Sequence, residues 1–363
     1  MMLLRLRRWI AGVAVLALFS AVSARAQHSR HALLAPRPSA IEQNFSGPLP
    51  VFEFHSGFWT NLHHFLYQQA RLKRPGDSAP GKSSTASPSG GEPGRTGNFT
   101  AEEQAAWSGA VEYYEKNLAD KDLLFNGDLI NYKNRLAELE TCADLSGRSA
   151  RGCDAGLPLE MARALETAAP VYRAHWWPEH DRANRAWIAA VSPLVRQMGG
   201  DLARQLAEVY QARWPTGKIR VDVAAYANRS GAYTTLDPMD VTLSSTDPGN
   251  QGASGFEVLF HEASHALAER VSNTIARECR ERGKPIPRDL WHALLFYTTG
   301  EVVQRALMSS NAQAGSYTPY AVREGLYTRG WSGYLLLLER FWQPYLDGKT
   351  DFDAAIARMV SSL

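Results

Sequence analysis

Cysteine is scarce in this chain, with three in 363 residues, at positions 142, 153 and 279. Three thiols cannot close a four-ligand zinc knuckle, so any metal would need histidine or carboxylate ligands. Neither sign of charge dominates, with 39 basic and 37 acidic side chains. The first 26 residues carry Arg5, Arg7, Arg8 and Arg25 and no acid, and the 35 basic and 37 acidic residues beyond them leave a net charge of −2. That balance offers no electrostatic footing on nucleic acid or an anionic membrane. Beyond the N-terminus no apolar run reaches the roughly 20 residues that a bilayer core demands. No internal repeat is visible. With 45% hydrophobic and 21% charged residues, collagen, coiled coil and wholesale disorder are excluded, and one large or two modest globular domains remain.

What is present begins with an export signal. Arg5, Arg7 and Arg8 precede an apolar stretch from Ile10 to Val22, and Ala24-Arg25-Ala26 places small residues at −3 and −1 of a cleavage site. Residues 1–26 therefore read as a signal peptide, with a mature chain from Gln27 in a periplasm or outside the cell. Such a compartment permits disulfides, and Cys142 and Cys153 flank Ser146-Gly147-Arg148 closely enough for a local bridge.

Residues 27–217 read as a helical region. Apolar and aromatic residues recur at helical spacing from Phe54 to Arg71, and again over Asp128 to Cys142, Leu157 to His175, Asp181 to Met198 and Asp201 to Trp214. Thr100-Ala-Glu-Glu103 is a capping box that starts a helix running to about Asn117. Between residues 75 and 98, Gly, Pro and Ser fill 15 of 24 positions, too little apolar material to offset chain entropy, so a disordered insertion is expected. Residues 218–363 form a second region. Ile219 to Val223 and Met239 to Ser244 alternate apolar with polar around a turn at Arg229-Ser230-Gly231, which predicts a small antiparallel sheet. Helix is expected from there to Leu363. The fold class is α+β, predominantly helical.

The chemistry concentrates in one stretch. Ser254-Gly-Phe-Glu257 reads as a second capping box, and the helix it starts carries His261-Glu262-Ala-Ser-His265. Histidines four apart share a helix face, so both imidazoles can meet one zinc ion, while Glu262, turned about 100° away, faces a water beside it. The residues between the three functional ones are uncharged and the flanks are apolar, as the buried floor of a metal cleft requires.

These residues resemble the zincin metallopeptidases, which share a His-Glu-x-x-His helix beneath an edge strand. Ala268 and Val271 stand where the metzincin branch has glycine and histidine. The gluzincin branch takes a glutamate from the following helix as third ligand. If the motif helix runs to Arg282 and packs antiparallel on a helix from about Pro287 to Ser309, Glu301 matches the histidines in height to within about 9 Å and His292 to within about 22 Å. Glu301 is therefore the expected third ligand and His292 the alternative, with Gly300 making room for a close approach. Arg305 occupies the place where several gluzincins carry an acid that buttresses a motif histidine.

A secreted zinc peptidase is the leading expectation: zinc activates a water, Glu262 is the general base, and the substrate is a peptide or protein. The resemblance implies a Tyr or His that stabilises the oxyanion, for which Tyr320 and Tyr327 are the candidates, and it casts Met239 to Ser244 as the strand that pairs with substrate. A zinc hydrolase of a non-peptide substrate and a noncatalytic exported zinc-binding protein are the alternatives. His55, His63 and His64 read as an aromatic-rich packing face, and His175 to Asp181 as a wedge at a helix boundary. Asn228 and Tyr233 lie in the sheet turn within possible reach of substrate.

Overall fold

The computed structural model describes residues 51–74, 99–310 and 317–363. The signal peptide expected at residues 1–26 and the disordered insertion expected at 75–98 lie outside the described residues. Among the described residues no helix is long and apolar enough to cross a membrane.

A four-stranded sheet divides the structure into two layers. Its strands are β1 (Phe52–His55), β2 (Ile219–Ala224), β3 (Ala232–Leu236) and β4 (Met239–Ser244), in the order β1-β2-β4-β3. β1, β2 and β4 run parallel, and β3 is antiparallel to β4. The sheet is thus mixed, not antiparallel. The first half of the chain supplies an edge strand that the helical periodicity at Phe54 concealed. β4, expected at the cleft edge, is interior, and β3 takes the edge instead.

Mostly parallel sheets are covered on both faces, and this one is. One cover consists of α1 (Phe58–Leu72), α2 (Ala101–Asn117), α3 (Gly127–Glu138) and α4 (Leu159–His175). These helices bury Trp59, Phe65, Trp107, Tyr114 and Tyr172 in a core that also takes in Tyr233 of β3. The Thr100–Glu103 capping box of α2 forms as its sequence predicts. A Cys142–Cys153 disulfide closes the loop after α3, and Cys279 is free and buried.

The other cover receives Val221, Val223, Val241 and Leu243 from the sheet. Its helices are α5 (Trp177–Tyr210), α6 (Gly252–Ser264), α7 (Glu269–Glu281) and α8 (Leu290–Ser309). α5 is one 34-residue helix where two were expected with a break at Gly199-Gly200. Gly199 does not break it because the glycine serves packing: a Cβ there would lie 3.3 Å from Val195 and 3.5 Å from Val51. Short helices complete the fold: α9 (Tyr320–Arg323), α10 (Leu326–Arg329), α11 (Tyr334–Leu337), α12 (Gln343–Leu346) and, longer, α13 (Phe352–Ser361). Predominantly helical α+β architecture is what the sequence led one to expect.

Candidate metal centre

α6 is buried from Ala253 to Ser264, between the sheet and α8. It begins at Gly252, and the expected Ser254–Glu257 capping box does not form. Ser254 instead accepts a hydrogen bond from Arg323, and Glu257 turns inward. The helix carries His261 and Glu262 and then tightens into a single 3-10 turn at His265–Leu267 before α7 departs.

That turn changes which residue meets the histidines. α8 does run antiparallel to α6, with His292 beside His265, Phe296 stacked on His261 and Gly300 against Glu257. A continuous motif helix would have placed His292 far out of reach. The interruption at His265 sends α7 and the following loop on an excursion, so the first turn of α8 returns to the motif. His261, His265 and His292 each offer a ring nitrogen, all within 4.8 Å of one another, and they form the one such group of potential metal ligands among the described residues. His261 Nε2 and His292 Nε2 are 3.2 Å apart, close to the roughly 3.3 Å between two nitrogens of a tetrahedral zinc site. The donor set could hold a metal ion. One feature of a finished site is missing, because His261 Nδ1 is buried without a hydrogen-bond partner.

Glu301 is not part of this group. It lies nine residues beyond His292, about 13 Å further along α8, with its carboxylate 3.6 Å from Arg305, which also pairs with Asp347 at 2.9 Å. The expectation of Glu301 as third ligand is corrected accordingly. Gly300 still permits a close approach, but of Pro319 and Glu257: a Cβ there would lie 2.7 Å from Pro319 Cβ and 3.3 Å from Glu257 Oε1.

Burial drives the three imidazoles towards the neutral form that ligates metals. It holds His261 well below the ordinary histidine value and brings His265 to about 3 and His292 to about 4. Burial also raises Glu262 to about 7, against the opposing pull of a hydrogen bond from Thr234. Thr234 Oγ1 donates to Glu262 Oε2 at 2.7 Å and lies 2.9 Å from the Glu262 carbonyl, which ties β3 to the motif. Glu262 Oε2 stands 3.9 Å from His265 Nε2. Beside a water-derived nucleophile, such a carboxylate has the position and affinity of a proton acceptor.

An aromatic wall flanks the group. Trp291 stacks on His292, and Trp331 packs against both His292 and Phe296. Tyr320 stacks on Phe296 at 5.8 Å and 14°. His265, His292 and these wall residues are partly exposed, so the group opens to solvent. Of the two tyrosine candidates, Tyr320 borders the site. Tyr327 is buried and its hydroxyl donates to the Ala293 carbonyl at 3.1 Å, which makes it a packing residue beneath α8.

The remaining candidates lie elsewhere. His55 pairs with Glu140 at 3.1 Å. His63 bonds Tyr114 at 2.9 Å, and His64 bonds Tyr233 at 2.8 Å on the sheet face away from the motif. Tyr233 therefore points away from the site, and Asn228 accepts from the Ser230 amide within its own turn. His175 pairs with Glu103, and His180 bonds Tyr172, as a structural wedge would. The sequence carried no sign of Thr234, of the aromatic wall or of Tyr317, and it showed Glu257 only as part of a capping box. Glu257 is the one acid in the apolar stretch before the motif, a full turn ahead of His261, and that placement was the available signal.

The chain matches no protein-family model, no curated protein and no solved structure.

Proposed function

We propose that this chain is an exported zinc-dependent peptidase of zincin type, with His292 in the place that gluzincins give to a glutamate. The observation that carries this reading is the convergence of His261, His265 and His292 beside a buried carboxylate that is not one of them. Zinc bound there would polarise a substrate carbonyl and acidify a neighbouring water. Glu262, oriented by Thr234, takes the proton of the attacking water and passes it to the leaving amine. The peptide substrate follows from the resemblance of the motif to the zincin peptidases; β3, although it is the edge strand and reaches the site through Thr234, is buried from Ala232 to Thr235. Export is supported by the Cys142–Cys153 bridge, since disulfides persist in oxidising compartments.

Metal analysis of the dialysed protein is expected to return one zinc per chain. Cleavage of a mixed peptide library is expected to fall by about 100-fold or more in Glu262→Gln, the scale of a lost general base. Absence of zinc, or equal products from both proteins, would overturn the reading.

A further inference from the structure

Glu257 is fully buried, yet it is an acid. A carboxylate in such a place must be compensated by hydrogen bonds, and among the described residues every one it receives comes from a single segment. The Tyr317 hydroxyl donates to Oε2 at 2.6 Å, and the Tyr320 amide lies 3.0 and 3.1 Å from the two oxygens. The same segment is pinned at its other end, where Arg323 donates to Ser254 Oγ at 2.6 Å and to the Gly249 carbonyl at 2.9 Å. Gln304 of α8 holds the Tyr317 carbonyl. Gly300 lacks the side chain that would push Pro319 away from Glu257. Residues 317–323 therefore form a strap tied across the N-terminal half of α6, and the ring of Tyr320 hangs from it onto Phe296, which in turn stacks on His261.

We propose that Glu257 is a positioning residue: its carboxylate fastens residues 317–323 across the motif helix and thereby fixes where Tyr320 stands beside the histidine group. The catalytic consequence rests on the peptidase reading above; the anchoring does not. A packing role alone would be met by an apolar side chain of similar size. The carboxylate is distinguished by having two acceptor oxygens aimed at two donors of the strap.

The test uses the full-length, zinc-loaded protein. Hydrogen exchange followed by mass spectrometry is expected to speed up about tenfold or more across residues 317–323 in both Glu257→Gln and Tyr317→Phe, while exchange in α6 and the zinc content stay as in the wild type. Unchanged exchange in the strap in both variants, or equal acceleration throughout α6, would overturn the proposal. Tyr317→Phe keeps the test decisive if Glu257→Gln does not fold. Kinetics supply a second arm. Glu257→Gln is expected to lower kcat about tenfold with little change in KM, and to cost nothing further when Tyr320 is already Phe. Losses that simply multiply would overturn the link to Tyr320. A wild type that binds zinc and cleaves no peptide would remove the peptidase reading, and the exchange data would then judge the anchoring on its own.

Discussion

His292 and Glu301 share α8, and the nine residues between them amount to about 13 Å of rise, so only one of them can stand level with His265. The difference is measurable. His292→Ala is expected to leave well under one zinc per chain after dialysis, whereas Glu301→Gln, which loses only a partner of Arg305, retains the metal. The reverse outcome would return the third position to the glutamate. His261, Glu262 and His265 were legible as a unit because their spacing within one helix is local. Glu257 was misread for a related reason: Ser254 and Glu257 have the spacing of a capping box, and nothing in that spacing reveals that Tyr317 and Arg323 claim both side chains.

β2 and β4 show how far strand patterning reaches. The alternation of Ile219 to Val223 and Met239 to Ser244 correctly marks two strands, and its apolar set faces α5 and α6. The polar set does not face water. Asp222 and Asp240 are buried against the α1–α4 layer, where Lys133 Nζ lies 3.1 Å from Asp240 and Arg220 lies 2.8 Å from Asp222. Burial pushes the Asp222 carboxyl up, but Lys133 and Arg220 outweigh it and hold the group below its ordinary value. Burial and the neighbouring Asp222 raise Asp240 to about 8. Removing the shared cation strands these acids in a dry layer. Lys133→Met is expected to lower unfolding free energy by about 3 kcal/mol or more, read from urea titration, and adding Asp240→Asn should recover part of that loss. A Lys133→Met protein as stable as wild type would show that the cation does not hold the layers together.

For the molecule as a whole, the buried imidazoles set the response to acid. Burial lowers His63 well below 6.5 and brings His64 and His180 to about 4 from the ordinary 6.5. Below pH 6.5 the unfolded chain binds protons that the folded chain refuses, so stability falls by about 1.4 kcal/mol per pH unit for each group until its folded value is reached. Asp240 acts in the opposite sense: its raised value contributes stability at low pH that is lost as pH rises towards about 8. His63, His64 and His180 each make stability fall towards acid, and the raised carboxyls of Asp240 and Glu262 oppose them. Melting temperatures measured between pH 6.5 and 4.5 should fall less steeply in His64→Asn than in the wild type, and parallel curves would show that His64 does not titrate this way.

The sequence by itself determined what depends on neighbours along the chain: most of the helices, the alternation of β2 and β4, the cap at Thr100, and a pair of histidines one turn apart with an acid between them. Tertiary structure decided the rest. It made β1 a strand by pairing it with β2, kept α5 continuous by packing Gly199 closely, and turned the polar face of the sheet inward. It also chose His292 over Glu301, because the 3-10 turn at His265 redirects the chain and thereby resets which residue of α8 comes level with the motif. Local spacing carries no information about such a redirection; only the packing of α6 between the sheet and α8 does.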